Sequence, residues 1–119
     1  MYKYYNANSR GNFVNDCVIR AVSVAENMSW EDTYDDLSRI AKKNGILLDD
    51  VDFVDPLLDY RYDRMPFFRD IYVGDFIASH PTGIYLITML GHITVVKEGV
   101  LYDTFDCRDR KIKDVWKVF

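Results

Sequence analysis

The chain has few of the residues from which cross-linked and metal-bound folds are built. It contains two cysteines and two histidines in 119 residues, and Cys17 and Cys107 do not form a C-x-x-C pair. Two cysteines are too few for a disulfide scaffold, and a four-ligand structural zinc site would need both histidines as well. We therefore expect free thiols in a reducing compartment, with no metal ion and no other cofactor.

Clusters of basic residues and long apolar runs are also missing. The formal net charge is −4 at pH 7, and Asp109 interrupts the densest basic stretch, residues 108–113. Because nucleic-acid binding needs a basic stripe that displaces counterions, we expect no nucleic-acid partner. The apolar runs are far shorter than the roughly 20 residues of a membrane span, and the N-terminus lacks the apolar core of a signal peptide. These features predict a cytoplasmic protein without membrane contact.

The remaining composition is that of one folded domain. Apolar residues make up 49% and charged residues 29% of the chain, a mixture typical of globular proteins. No linker, repeat or low-complexity tract divides the chain, so residues 1–119 are expected to form a single domain. Residues 1–12 are interpreted as an extended or irregular lead-in.

Four helices are predicted, two of them with clear end signals. Apolar residues at helical spacing indicate a helix over about 16–27. A second helix begins at Ser29, where S-W-E-D resembles a capping box, and Gly45 is its stop signal. Between residues 46 and 70 we expect a short acidic helix that breaks or begins near Pro56, followed by a loop. A further short helix is expected over 73–79.

The last third of the chain predicts an antiparallel meander. Two of its strands are joined by a tight turn at Glu98-Gly99. The four strands are expected at 84–89, 92–97, 100–105 and 111–118. Helices first and strands last indicate an α+β protein, in which N-terminal helices pack on a C-terminal antiparallel sheet.

Cys17 is the first candidate for chemistry. It falls at the second or third position of the first predicted helix, where unpaired backbone N–H groups favour a thiolate and lower the pKa of a thiol. The structural alternative is a core cysteine, because cysteine is among the most buried residue types.

A nucleophilic thiol needs a base, and the chain offers two histidines. His80 precedes Pro81 in a turn-like segment, which favours an exposed loop residue. His92 follows Gly91 and opens an apolar strand, which would hold an imidazole more firmly. We therefore select His92 as the candidate base, with a hydrogen-bonded core histidine as its structural alternative.

The third candidate, Asp103, depends on the register of the predicted hairpin. A two-residue turn pairs Thr94 with Asp103 and places His92 and Asp103 on the same face as diagonal neighbours. A three-residue loop with a bulge would turn Asp103 to the other face, and Asp106 is then the reserve candidate.

An acyl-transfer site also needs donors for the developing oxyanion. The backbone N–H of Cys17 is one, and a side-chain amide just upstream, from Asn15 or Asn12, is the other. Both asparagines are also good helix caps, and capping is the commoner role for asparagine at that place.

Taken together, these segments resemble a known family. N-D-C-V-I-R-A at 15–21, G-H-I-T-V-V at 91–96 and Y-D-T-F-D at 102–106 are similar to segments of small phage and bacterial proteins with papain-like cysteine-peptidase character. The order of cysteine at a helix start, histidine at a strand start and an acid or amide on the next strand is shared with bacteriocin-leader and cell-wall peptidase domains.

The resemblance implies a papain-like fold and a thiol hydrolase that cleaves a peptide, amide or isopeptide bond through an acyl-thioenzyme. Cys17 would be the nucleophile, His92 the base and Asp103 the orienting residue, with a protein or peptide as substrate. A phage-encoded chain would act in the host cytosol. Papain-like enzymes usually place a glutamine before the cysteine as oxyanion donor, and this chain has no glutamine. The alternative is therefore a catalytically degraded fold that binds a protein, for example as an inhibitor of a host defence protein.

Three further features have structural interpretations. Arg20 is expected to form an ion pair with Asp16 or with an acid elsewhere. Cys107 is interpreted as a bystander thiol in a loop. The acidic stretch 49–59 is interpreted as a solvated helix face; as an acidic rim, it would instead favour basic peptides.

Overall fold

The protein is an α+β fold with four helices and a six-stranded mixed sheet in its described part. The structure, a computed structural model, describes residues 1–11, 16–45 and 51–118, and side chains in all of these except 51–53. The predicted α+β class is confirmed. Each helix in the described ranges is too short or too polar to cross a membrane.

The helices follow the signals in the sequence closely. Their bounds are α1 Cys17–Glu26, α2 Trp30–Asn44, α3 Val51–Arg61 and α4 Val73–Ser79. Ser29 caps α2, since its Oγ accepts a hydrogen bond from the Asp32 N–H at 3.0 Å. Gly45 ends α2 in the left-handed conformation, with φ of 68°. Both end signals of the second helix are therefore confirmed.

Helix α3 runs through Pro56 instead of breaking or beginning there. Proline lacks the backbone donor of one intrahelical hydrogen bond, so it weakens the middle of a helix. The residues that follow, Leu57 and Leu58, are buried at 7% and 0% exposure. Their burial in the core stabilises a helix that the local sequence alone would interrupt.

The sheet contains more than the predicted meander. Its strands are β1 Tyr2–Tyr4, β2 Asp63–Met65, β3 Ile84–Met89, β4 His92–Lys97, β5 Val100–Asp103 and β6 Asp114–Lys117. They lie in the order β1-β5-β4-β3-β6-β2. Strand β1 pairs with β5 in parallel, and β2 pairs with β6. The prediction of a purely C-terminal, antiparallel sheet is therefore wrong at both edges.

The two strands that were not predicted, β1 and β2, form for the same physical reason. The outer edges of β5 and β6 would otherwise leave a row of backbone N–H and C=O groups without partners. A three-residue segment is enough to pair with such an edge, but it is too short to show an alternating apolar pattern. The expected loop at residues 63–65 and the expected lead-in at residues 2–4 become strands for this reason.

The hairpin between β4 and β5 has the register on which the candidate site depends. Lys97 pairs with Val100, so the turn contains only Glu98 and Gly99. Both turn residues have positive φ, 51° and 75°, as a type I′ turn requires. Val95 pairs with Tyr102, so the next position along the same register places Thr94 opposite Asp103. Strand β5 ends at Asp103, and so before the predicted end at residue 105.

Helices cover both faces of the sheet. Helices α1, α2 and α3 pack on the face that carries Leu86, Val95 and Trp116. Helix α4 and the segment after β5 pack on the opposite face, against Ile87 and Val96. The expected packing of N-terminal helices on the sheet is confirmed, and α1 lies directly over β4.

Candidate active site

Cys17 is the first residue of α1, one position earlier in the helix than the sequence predicted. Asp16 is the N-cap residue. The apolar face of α1 packs on the sheet through Val18 and Val22. This packing brings the start of α1, with the half-buried thiol of Cys17, to the start of β4, where Ile93 donates a backbone hydrogen bond to the sulfur.

His92 is the first residue of β4, directly after the two-residue connection Leu90-Gly91. Met89 and His92 are paired across the β3–β4 hairpin. Gly91 has φ of 70°, a left-handed conformation that favours glycine. The side chain of His92 is 7% exposed, so its ring is fixed between the strand and the neighbouring side chains.

Asp103 ends β5 and contacts the imidazole directly. The Asp103 Oδ2 lies 2.7 Å from His92 Nε2, and the Asp103 Oδ1 accepts a 2.7 Å hydrogen bond from the Thr104 N–H. Burial opposes ionisation of this carboxyl, but the hydrogen bonds that it accepts, that from His92 first, and the charge of His92 together outweigh burial and lower the pKa of Asp103. An ionised carboxylate can only accept, so Nε2 carries the donated proton and Nδ1 is the nitrogen left for the thiol.

Cys17 and His92 stabilise each other's charged forms. Partial burial by itself would raise the pKa of Cys17, but hydrogen bonds from His92 and the Ile93 N–H, with the nearby charge of Arg20, lower it. Burial would likewise lower the pKa of His92, but hydrogen bonds with Asp103, Cys107 and Cys17 raise it well above its ordinary 6.5. The arrangement therefore favours a thiolate beside an imidazolium.

Arg20 links the helix of Cys17 to the strand of Asp103. It forms an ion pair with Asp16 one turn earlier in α1, as expected, and its Nη2 lies 3.8 Å from Asp103 Oδ1. The second oxygen of Asp16 accepts a 2.8 Å hydrogen bond from Trp30 Nε1. The Asp16 carboxylate therefore holds Arg20 in place and makes no hydrogen bond to the helix terminus.

Cys107 is not the bystander that the sequence indicated. It is fully buried, and its Sγ lies 3.9 Å from Asp103 Oδ2. The reserve candidate Asp106 is exposed and pairs with Arg108 at 2.7 Å. Sequence reasoning missed Cys107 because it is the fourth residue after Asp103, beyond the end of a strand, where no periodicity predicts which way a side chain points.

His92, Asp103 and Cys107 also form the one group of potential metal ligands in the described ranges, with ligand atoms within 4.8 Å of one another. Ligand atoms around a tetrahedral zinc ion lie about 3.3 Å apart or more, given bonds of about 2.0 Å. The 2.7 Å between Nε2 and Oδ2 is shorter than that spacing. It is the distance of a charge-assisted hydrogen bond.

A cleft of about 590 Å³ opens beside Cys17 and His92. Its apolar lining includes Val18, Met89 and Ile93. Its charged lining consists of Asp55, Arg69, Asp70, Lys111 and Lys113. The described rim is therefore of mixed sign, which differs from the acidic rim that the stretch 49–59 suggested.

Of the two predicted oxyanion donors, the structure describes only the backbone N–H of Cys17. Asn12 and Asn15 both lie outside the described residues. The backbone N–H of Cys17 is at the first position of α1, where the helix itself provides no acceptor. This N–H therefore has the right position in a helix to serve a developing oxyanion beside the thiol.

Comparison with known proteins finds no matching family model, no matching curated protein and no matching solved structure.

Proposed function

We propose that this chain is a papain-like thiol hydrolase that cleaves an amide, peptide or isopeptide bond. The observation that carries the proposal is one imidazole with two partners. Asp103 accepts from Nε2 of His92 at 2.7 Å, the Cys17 thiol hydrogen-bonds the same ring, and the thiol faces an open cleft. This is the pattern of an activated nucleophile, its base and a group that orients the base.

The papain-like assignment is supported by the order and placement of these residues. Cysteine begins a helix that packs on the sheet, histidine begins a strand, and the orienting acid ends the next strand. The same order carries the resemblance to papain-like peptidases. A serine-type triad differs in detail, because there the imidazole uses Nε2 for the nucleophile and Nδ1 for the carboxylate.

Acylation begins from the thiolate–imidazolium pair. The Cys17 thiolate attacks the scissile carbonyl carbon, a C–S bond forms, and the carbonyl π electrons move to the oxygen. The Cys17 N–H can stabilise this oxyanion. As the intermediate collapses, the C–N bond breaks and the leaving amine takes the proton from His92 Nδ1. The products are a free amine, a thioester on Cys17 and a neutral imidazole.

Deacylation restores the starting pair. The neutral His92 takes a proton from a water molecule, whose oxygen attacks the thioester carbonyl carbon. Collapse of the second intermediate breaks the C–S bond and releases a carboxylic acid and the Cys17 thiolate. Asp103 keeps the imidazole oriented and stabilises its charge in both half-reactions. The mechanism calls for no metal ion or other cofactor, and its substrate is a protein or peptide.

The first test is the rate of iodoacetamide alkylation at Cys17 as a function of pH. Wild-type protein should be labelled rapidly near pH 6, and His92→Ala should lower that rate by about a hundredfold, because the thiol returns towards an ordinary pKa of about 8.5. Mass spectrometry scores Cys107 separately, and its burial should keep its labelling slow. His80→Ala is the matched control and should label like the wild type.

Equal and slow labelling of the wild type and His92→Ala, with an ordinary thiol pKa in both, would contradict the proposal. A protein-binding module has no need of a low-pKa thiol beside an imidazole, so that result would favour the degraded-site alternative. Rapid labelling that depends on His92 would instead justify a search for peptides that acylate Cys17, detected as a mass increase on the intact chain.

A further inference from the structure

The buried thiol of Cys107 has no part in the two half-reactions, yet it contacts the carboxylate that orients the base. Its Sγ lies 3.9 Å from Asp103 Oδ2, the same oxygen that accepts the His92 hydrogen bond. The thiol is also a hydrogen-bond partner of His92. Cys107 therefore lies where the carboxylate and the imidazole meet.

The segment that carries Cys107 is fixed to the opposite side of the sheet. Cys107 itself is 0% exposed and belongs to the core beneath α4. The carbonyl of Arg108 accepts a 2.9 Å hydrogen bond from Gly74, and a Cβ added to Gly74 would lie 3.2 Å from that carbonyl oxygen. This close contact between α4 and the segment holds the sulfur in one place.

The other groups around Asp103 come from several elements. Arg20 on α1 lies 3.8 Å from Oδ1, and Thr104 donates its backbone N–H to the same oxygen. The hydroxyl of Tyr2 on β1 donates to the backbone carbonyl of Asp103 at 3.2 Å. Oδ1 thus has its own partners, whereas His92 and Cys107 both contact Oδ2.

We propose that Cys107 is a positioning residue, which holds the Asp103 carboxylate in line with His92 and keeps water out of the bond between them. This role rests on the proposed hydrolase function. A thiol suits it because it is a weak donor. It fills the space beside Oδ2 and fixes the orientation of the carboxylate, while most of the oxygen's capacity to accept is left to the imidazole.

The test compares Cys107→Ala with Cys107→Ser. Alanine removes the donor and leaves space beside Oδ2, so the rate of Cys17 alkylation at pH 6 should fall about tenfold, as expected for a misplaced catalytic group. Serine is nearly isosteric and keeps a donor, so its rate should stay within about threefold of the wild type. Ile77→Ala is the matched control, since Ile77 is buried in the same core as Cys107 and lies on α4.

A second readout does not depend on any reaction of the thiol. The chain has two histidines, so long-range ¹H–¹⁵N spectra can resolve both rings, with His80 as an internal reference. The hydrogen-bonded proton on His92 Nε2 should weaken or exchange faster in Cys107→Ala and persist in Cys107→Ser and Ile77→Ala.

The results separate this inference from the proposed function. If wild-type Cys17 labels slowly, the hydrolase proposal fails, while the His92 spectra still report whether Cys107 holds the carboxylate. If Cys107→Ala lowers the unfolding temperature as Ile77→Ala does, but leaves the alkylation profile and the His92 Nε2 signal unchanged, Cys107 is only a core residue and the inference is overturned.

Discussion

The two histidines are held by different kinds of partners. His80 follows α4 and stacks on Phe76, with ring centroids 4.0 Å apart and an interplanar angle of 11°. Its Nδ1 lies 3.0 Å from the Phe76 carbonyl oxygen and 2.9 Å from Ser79 Oγ. His92 also contacts an aromatic ring, that of Phe105 at 4.7 Å, but it lies between the Asp103 carboxylate and the Cys17 thiol.

Burial alone does not distinguish the two histidines, because both residues are of intermediate exposure. The groups that contact each ring distinguish them. A ring held by an aromatic face, a carbonyl and a hydroxyl is packed as a structural element. A ring between an ionised carboxylate and an acidic thiol can take up and release a proton beside the open cleft. The expected exposed loop position of His80 becomes a half-buried, aromatic one, because α4 brings Phe76 beneath it.

The aromatic packing around His80 can be weakened without changing the charged groups around His92. Phe76→Ala removes the ring that contacts His80, Phe68 and Tyr85, and a buried phenylalanine of this kind contributes about 3–5 kcal/mol to the free energy of unfolding. Urea unfolding measures this loss. The alkylation profile of Cys17 should stay unchanged under folding conditions, and a shifted profile would show that the two regions are coupled. Phe76→Leu is the milder variant if the alanine protein is too unstable.

Among the charged groups around His92, we expect substitution of Arg20 to lower the free energy of unfolding most. Arg20→Met leaves the buried carboxylates of Asp16 and Asp103, each 4% exposed in its side chain, without that cation, and breaking a buried pair costs about 3 kcal/mol or more. Arg39→Met is the control, because Arg39 is 75% exposed and should change the unfolding free energy by about 0.5 kcal/mol at most. Equal losses in the two variants would contradict the role given to Arg20.

Asp103→Asn should remove the negative charge that distinguishes the surroundings of His92 from those of His80. The imidazolium loses its carboxylate, the pKa of His92 falls, and the Cys17 thiolate loses its cationic neighbour. We expect alkylation of Cys17 at pH 6 to slow about tenfold, which corresponds to one pKa unit. Asp106→Asn is matched in chemistry and lies on the surface with Arg108. Its labelling rate should equal that of the wild type, and a comparable slowing there would reject Asp103 as the orienting group.

The pH dependence of stability should depend on Cys17. The raised pKa of His92 contributes stability that is complete below 6.5 and is lost as pH rises above it. The lowered pKa of Cys17 contributes stability that grows as pH rises towards the ordinary pKa of a thiol, about 8.5. Where the folded chain holds the thiolate and the imidazolium and the unfolded chain holds a thiol and a neutral imidazole, each binds one proton at this pair, so the two contributions cancel.

Cys17→Ser removes the contribution of the thiol to the pH dependence and leaves that of His92. The variant should lose stability relative to the wild type by up to about 1.4 kcal/mol per pH unit above pH 6.5. Unfolding free energies of both proteins at pH 6 and pH 8 measure the effect. Parallel pH dependences would mean that the thiolate and the imidazolium do not form a pair.

Local signals in the sequence predicted much of the fold. The Ser29 cap, the Gly45 stop and the Glu98-Gly99 turn each act within a few residues, and each is present in the structure. The turn also sets the register that brings Asp103 to His92. The paired strands β1 and β2 escaped prediction, because three-residue segments become strands only when a neighbouring edge offers them partners.

Sequence by itself determined the types and order of the candidate groups. The chain has few cysteines and histidines, and a helix start, a strand start and a tight turn indicated Cys17, His92 and Asp103. Only the tertiary structure decided what surrounds them. Arg20 and Cys107 reach the same carboxylate from a helix on one face of the sheet and a segment on the other. Such contacts join residues far apart in the chain, and packing determines them rather than spacing.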